Sequence, residues 1–335
     1  YLPGRYPRLK TLAARAKIIF AAVDQAKDLV NLPANIVTPS YLDKIARRIS
    51  QKPKVKLSTF GFAQAKQAGL SAFCAVARGS AEPPKFIVLE YLGGAGQKIA
   101  LIGKGLTFDS GGVSLKPAAG MGEMKTDMGG AATALMAFAA LVELQVKQNL
   151  LCIVPATENM PSGTAYKPGD IITTADGLTV EINSTDAEGR LILCDALWYA
   201  QRRGAKKIID YATLTGACQI ALGETRAGVM TNSQKFLRDY LQAAEKTGEK
   251  HWQLPMDAEY LDYLKSPVAD TLNNAKEKMA GSVTAAKFLE KFIQKNIEWI
   301  HCDIAGAAFL QKQQRYLEPQ ATGFGVRTLI ELLGG

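Results

Sequence analysis

Apolar positions along the chain recur first at helical and then at strand spacing. Residues 10 to 31 are rich in Ala, Leu, Lys and Arg with helical periodicity, and Pro33 closes the pattern, so an opening helix is predicted. Thr38-Pro39-Ser40 reads as a second helix start. Four short β-branched runs follow, Phe86 to Leu89, Ile99 to Ile102, Leu150 to Val154 and Ile208 to Tyr211, and helical patterns over 130–147 and 189–203 separate several of them. Further helices are expected over 233–247, capped by Ser233, and over 282–294, capped by Ser282. A strand EWIHCDI and a helix near 325–333 close the chain. In IITTADGLTVEI, Asp176-Gly177 lies between two β-rich runs and marks a hairpin. Strands alternating with helices of this length predict an α/β fold whose mostly parallel central sheet is flanked by helices on both faces.

Open sheets of this kind bind ligands beyond the carboxyl ends of their strands. The loops to inspect therefore follow 99–103, 150–155, the hairpin at 183, and 208–212. Composition narrows what those loops can do. With 335 residues, 47% of them hydrophobic, the chain can bury a large core as one domain or one domain plus a small appendage. It contains no membrane-length apolar run and no signal-like N-terminal segment, so a cytoplasmic protein without membrane partners is expected. Its five cysteines are scattered and form no CxxC pair, which argues against a zinc knuckle and a secreted disulfide framework. The net charge of +9 is spread along the chain, favouring a solvated basic surface over a dedicated nucleic-acid face. The chain starts at Tyr1, consistent with a fragment or a processed product.

The chemistry concentrates in three segments. In GKGLTFDSGG, glycines surround Lys104 and Asp109, but neither the Walker pattern nor GxGxxG is present, so the glycines serve close backbone approach around Asp109 better than phosphate binding. On this segment alone, Asp109 could instead cap a helix. Lys116 is followed eleven residues later by Asp127 in MGEMKTDMGGAA, where an Asp opening a small-residue helix is ordinarily a cap. In INSTDAEGRL, Asp186, Glu188 and Arg190 alternate with small residues and in an extended backbone would project to one side. Two carboxylates that close repel unless a cation sits between them, although a surface ion pair is the plainer alternative. The only histidines, His251 and His301, are far apart and read as structural, and there is no HExxH or GxSxG. Abundant Asp, Glu and Lys near strand ends point to hard divalent ions and metal-assisted hydrolysis.

Taken in order, GKGLTFDSGG, the Lys116 to Asp127 spacing, DMGGAA, TDAEGRL and ATLTGA resemble the leucyl aminopeptidase (cytosol aminopeptidase) family. The resemblance runs from about residue 24, through NLPAN, to about residue 330, and includes AGSVTAAKFL. It implies a catalytic domain over 24–335, a mixed sheet between helices, and 1–23 as the remnant of a linker after an absent N-terminal domain. It further implies a homohexamer and peptide substrates with a free N-terminus, leucine-like first residues preferred. Two divalent metal ions are implied, Zn or Mn with Mg or Co as alternatives, held by Lys104, Asp109, Asp127, Asp186 and Glu188. Lys116 and Arg190 match the family's catalytic pair, the first stabilising the oxyanion and the second holding a bicarbonate. Met124, Thr213, Leu214 and Gly216 match its first-residue pocket and peptide contacts. One departure is Ser184, where the family usually has Asn, with Asn183 one position earlier. A DNA-binding or scaffold protein on the same fold, and a metallohydrolase of another substrate class, are the competing readings.

Overall fold

In the computed structural model, residues 7–277, 279–314 and 317–334 are described. The strands are β1 (Val55–Phe60), β2 (Lys85–Leu92), β3 (Lys98–Gly103), β4 (Gly105–Asp109), β5 (Asn149–Asn159), β6 (Ile171–Thr173), β7 (Thr179–Glu181), β8 (Ala205–Ala212), β9 (Ala227–Thr231), β10 (His251–Gln253), β11 (Thr271–Leu272) and β12 (Glu298–Asp303), of which β2, β3, β5 and β8 come from the four β-branched runs. Nine of them form one sheet in the order β1-β2-β5-β3-β8-β12-β9-β10, with β4 paired to the far end of β5. The central neighbours β5, β3, β8 and β12 run parallel, whereas β1 with β2, β2 with β5, and β9 with β12 are antiparallel. The sheet is thus mixed and mostly parallel. The hairpin β6–β7 turns at Gly177, which takes the positive φ of 97° that such a turn demands.

Helices α1 (Pro7–Asn31), α2 (Pro39–Ser50), α3 (Phe62–Gln67), α4 (Ser71–Ala77), α5 (Gly129–Glu143), α6 (Gly189–Arg202), α7 (Gly216–Leu222), α8 (Gln234–Thr247), α9 (Gly281–Glu290) and α10 (Val326–Gly334) cover the sheet. One core joins α1, α2, α5, α8 and α10 to one sheet face, and a second joins α3, α4, α6 and α9 to the other. Thr38 caps α2 and Ser233 caps α8, each accepting a backbone N–H, as their side chains predict. Ser282 is not a cap. It lies inside α9, buried, with its hydroxyl 2.9 Å from that of Thr215, because α9 begins at Gly281 after a left-handed Ala280. That helix also ends at Glu290 rather than 294, and α5 ends at Glu143 rather than 147.

Both histidines are core groups. His251 sits between the Tyr240 hydroxyl (2.8 Å) and the Glu249 carbonyl (2.9 Å), and burial pushes its pKa down to about 4. His301 Nδ1 lies 2.5 Å from Asp210, which also accepts from Trp299 Nε1 at 2.6 Å.

Helix α5 is apolar around almost its whole circumference, as a fully enclosed helix must be. Its first turn presses on the sheet so closely that a Cβ on Gly130 would fall 2.0 Å from the Tyr211 carbonyl oxygen. Gly130→Ala must therefore push α5 off β8, an overpacking expected to cost about 3 kcal/mol and to lower Tm by roughly 4 °C. Calorimetry of the variant checks this, and an unchanged Tm would contradict the close approach.

Candidate metal centre

The parallel strands aim their carboxyl ends at one region, and four loops meet there. Lys104 stands where β3 parts from β8. Its N–H still bonds the Tyr211 carbonyl of β8 (3.0 Å), while its own carbonyl accepts from Ala131 in the first turn of α5 (2.9 Å). The side chain is wholly enclosed, and its ammonium donates to the Asp127 carboxylate (2.8 Å) and the Thr213 carbonyl (2.9 Å) and pairs with Glu188 Oε1 (3.1 Å). Burial alone would lower its pKa, but the surrounding carboxylates of Asp127, Glu188 and Asp109 outweigh that and raise it.

Asp109 ends β4, and no helix follows it to be capped. One of its oxygens accepts from the Gly111 amide (3.0 Å) and from Asn159 Nδ2 (2.8 Å). The other faces the Lys116 ammonium at 2.8 Å. Gly111 and Gly112 take positive φ values of 86° and 66°, a reversal that returns the chain so that the Lys116 amide bonds the Ser110 carbonyl. Lys116 also bonds Asp186, bridging two loops.

Asp127 does not cap the start of α5. Met128 occupies the position before α5, and the Asp127 carboxylate turns instead to Lys104 and to the Thr213 hydroxyl (2.8 Å). The segment around Asp186, Glu188 and Arg190 is likewise not extended: it turns, with Glu188 in helical conformation immediately before α6 and Arg190 in its first turn. Curling rather than alternation brings the three together. Glu188 and Arg190 are buried, while the Asp186 side chain is 39% exposed at the cleft. Ser184, the departure from the family pattern, accepts from the Asp186 amide through its hydroxyl (3.2 Å), and Asn273 holds the Asn183 and Ser184 amides and the Ser184 carbonyl.

One oxygen each from Asp109, Asp127 and Glu188 lies within 4.8 Å of the other two. Burial first and neighbouring acids second push the Glu188 carboxyl up, and burial also raises Asp127. Four carboxylates here face two ammoniums, a deficit of two positive charges. Glu188 Oε2 is buried with no hydrogen-bond partner among the described residues. An orphaned acidic oxygen beside two more carboxylates, an amine and a backbone carbonyl is the donor set of a hard divalent cation. The residues present therefore fit such an ion. Arg190 donates to the Asn273 carbonyl (2.8 Å), its Nε has no partner among the described residues, and burial pulls its pKa down to about 10 against the opposing pull of Glu188 and Asp303.

A cleft of about 440 Å³ opens over the cluster, and Met124, Thr213, Leu214 and Gly216 line it together with Lys104, Lys116, Asp186 and Glu188. Met121, Ala305, Ala308 and Phe309 line it as well. Every sequence-predicted site residue except Arg190 lines this cleft, and Arg190 is buried within the electrostatic reach of Glu188 and Asp303.

Residues 24–330 match the catalytic domain of the cytosol aminopeptidase family. The chain belongs to that family. It is 48% identical to a probable cytosol aminopeptidase of Chlorobaculum tepidum over 100% of this chain and 67% of that protein, and 45% identical to one of Geobacter sp. strain M21 over 97% and 66%. The chain therefore spans about two thirds of the length of these relatives. Among solved structures, that of the bottromycin maturation enzyme BotP superimposes with a TM-score of 0.91 at 38% identity, covering 99% of this chain and 72% of that one.

Within this cytosol aminopeptidase catalytic domain, sequence reasoning missed the residues that hold the candidate ligands in place. Asn159 joins Asp109 to the Thr185 carbonyl (2.9 Å), which also accepts from the Tyr166 hydroxyl (2.8 Å). The Thr185 hydroxyl links the Gly111 carbonyl (2.6 Å) to the Ser114 amide (2.7 Å). Asn159 ends β5, one of the strand ends singled out for inspection, so its position was a usable signal. Asp303 lies at the end of the predicted strand EWIHCDI, a strand end the sequence reading did not single out, and Asn273 carried no signal.

Proposed function

We propose that this chain is a metal-dependent aminopeptidase that releases the first residue of peptides bearing a free N-terminus. The observation that carries this is the convergence of Lys104, Asp109, Lys116, Asp127, Asp186 and Glu188, from separate loops, on one charge-deficient cluster at the floor of a cleft. Lys104, Asp109, Asp127, Asp186 and Glu188 would hold two divalent ions, zinc or manganese foremost, with Lys104 binding as the neutral amine. When bound, such ions supply a nucleophilic water at neutral pH and polarise a carbonyl.

The protein's own groups do the rest. The Lys116 ammonium, at the edge of the cleft, stabilises the charge that develops on the scissile carbonyl oxygen. Arg190, buried below with its Nε unpaired, would hold a bicarbonate as proton carrier. Met124 and its apolar neighbours accept a leucine-like side chain, and Thr213, Leu214 and Gly216 contact the peptide. The family resemblance extends this reading to a homohexamer in the cytoplasm, and among the described residues no helix is long and apolar enough to cross a membrane. A DNA-binding or scaffold role gives no reason to gather four buried or half-buried acids around two lysines.

Leucine anilide is expected to be hydrolysed and its N-acetyl derivative left intact, since acetylation removes the amine that an ion would anchor. Equal cleavage of both in a paired assay would refute the aminopeptidase reading.

A further inference from the structure

Asp303 has no place among the ligands or the catalytic pair, yet it makes a dense set of bonds beside the cleft. It is fully buried at the end of β12, opposite Ala212 of β8 in the parallel register. One carboxylate oxygen accepts from the amides of Leu214 (3.2 Å), Thr215 (3.4 Å) and Ala305 (3.2 Å). The other accepts from the Thr215 hydroxyl at 2.6 Å. That hydroxyl also accepts the Cys218 amide (3.1 Å) at the head of α7 and meets Ser282 of α9. Leu214, Thr215 and Ala305 all line the cleft. The loop after β8 is therefore tied twice: Thr213 is bonded to Lys104 and Asp127 at the metal centre, and Leu214 and Thr215 are bonded to Asp303 behind it.

We propose that Asp303 is a positioning residue that fixes the lining of the substrate cleft by clamping the loop after β8 to the loop after β12. A single carboxylate collecting three amides and a hydroxyl fixes both loops in a way no apolar contact could, because each N–H would otherwise lie unpaired. The proposal rests on the aminopeptidase reading for what the cleft binds, but the clamp itself does not.

The experiment therefore has two arms, run on Asp303→Asn, Thr215→Val and Thr215→Ser. In the first, amide hydrogen exchange over 213–218 should quicken by about tenfold or more in Asp303→Asn and Thr215→Val and stay near the parent rate in Thr215→Ser, which keeps the hydroxyl. In the second, KM for leucine anilide should rise by roughly tenfold in the first two variants with kcat within about threefold and metal content unchanged. A role confined to core stability would lower Tm without moving either readout. Unchanged loop exchange in Asp303→Asn, or a fall in kcat at constant KM, overturns the clamp. If Asp303→Asn does not fold, the Val and Ser pair at 215 decides by the same criteria. A parent protein that cuts no free-amine substrate would refute the aminopeptidase reading and leave the exchange arm to judge the clamp alone.

Discussion

Lys116→Met is expected to keep its metals and lose turnover by about 10²- to 10³-fold, the usual cost of one missing oxyanion contact. Lys104→Met is expected to do the reverse, weakening or emptying one metal site, with activity partly recovered at high metal concentration. The two side chains are the same in kind and differ in place. Lys104 is enclosed, pressed between Asp127, Glu188 and the Thr213 carbonyl, so a loss there takes a ligand out of the cluster. Lys116 is 21% exposed, faces the cleft, and rests against Asp109 and Asp186, which bound ions would neutralise in its stead. KM should move little in Lys116→Met, because the charge it meets develops mainly in the transition state. Metal analysis alongside steady-state kinetics separates the two. Loss of a metal in Lys116→Met, or full occupancy in Lys104→Met, would reverse the assignment.

Prolonged chelation is expected to abolish hydrolysis completely and added divalent ion to restore it. Because the ions bind the folded state, thermal stability should rise with their concentration as mass action requires. The pH dependence of the metal-free protein carries a sign that can be checked. Burial and crowding raise Asp127 and Glu188 above their ordinary values, so the fold favours their protonated forms. That contribution is complete below the usual carboxylate range and is lost as pH rises through the raised values. Metal-free Tm should therefore fall from pH 5 towards neutrality, and the gap between loaded and metal-free protein should widen over the same interval. Activity that survives in a demonstrably metal-free sample, or a Tm indifferent to metal at pH 7, would rule out this centre.

Much of the fold was legible because burial is a local pattern. The opening helix, the capped helices α2 and α8, the hairpin at Gly177 and the parallel strands β3, β5 and β8 were each announced by period or by a cap, since a segment that buries one face must repeat its apolar residues at its own spacing. Short strands such as β9 and the edge piece β10, and the strand β4 that leaves β3 at Lys104, were not, because a few residues whose pairing is set by distant neighbours carry no period of their own.

The residue types and order in GKGLTFDSGG, DMGGAA and TDAEGRL sufficed to assign the family and nominate the site side chains, since a cluster of hard ligands needs those groups and little else can replace them. What each group touches was decided by tertiary structure alone. Asp127 had the local look of a helix cap and Ser282 that of another, yet one turned to Lys104 and Thr213 and the other to Thr215. Asp186, Glu188 and Arg190 converge by curling into α6 rather than by lying extended. The bonds by which Asn159 and Asp303 hold Asp109 and the loop after β8 became visible only once the strands were in register. The reason is physical: a buried carboxylate is satisfied by whichever donors the sheet brings within about 3 Å, and those donors come from chain segments far away in sequence, where no local periodicity can record them.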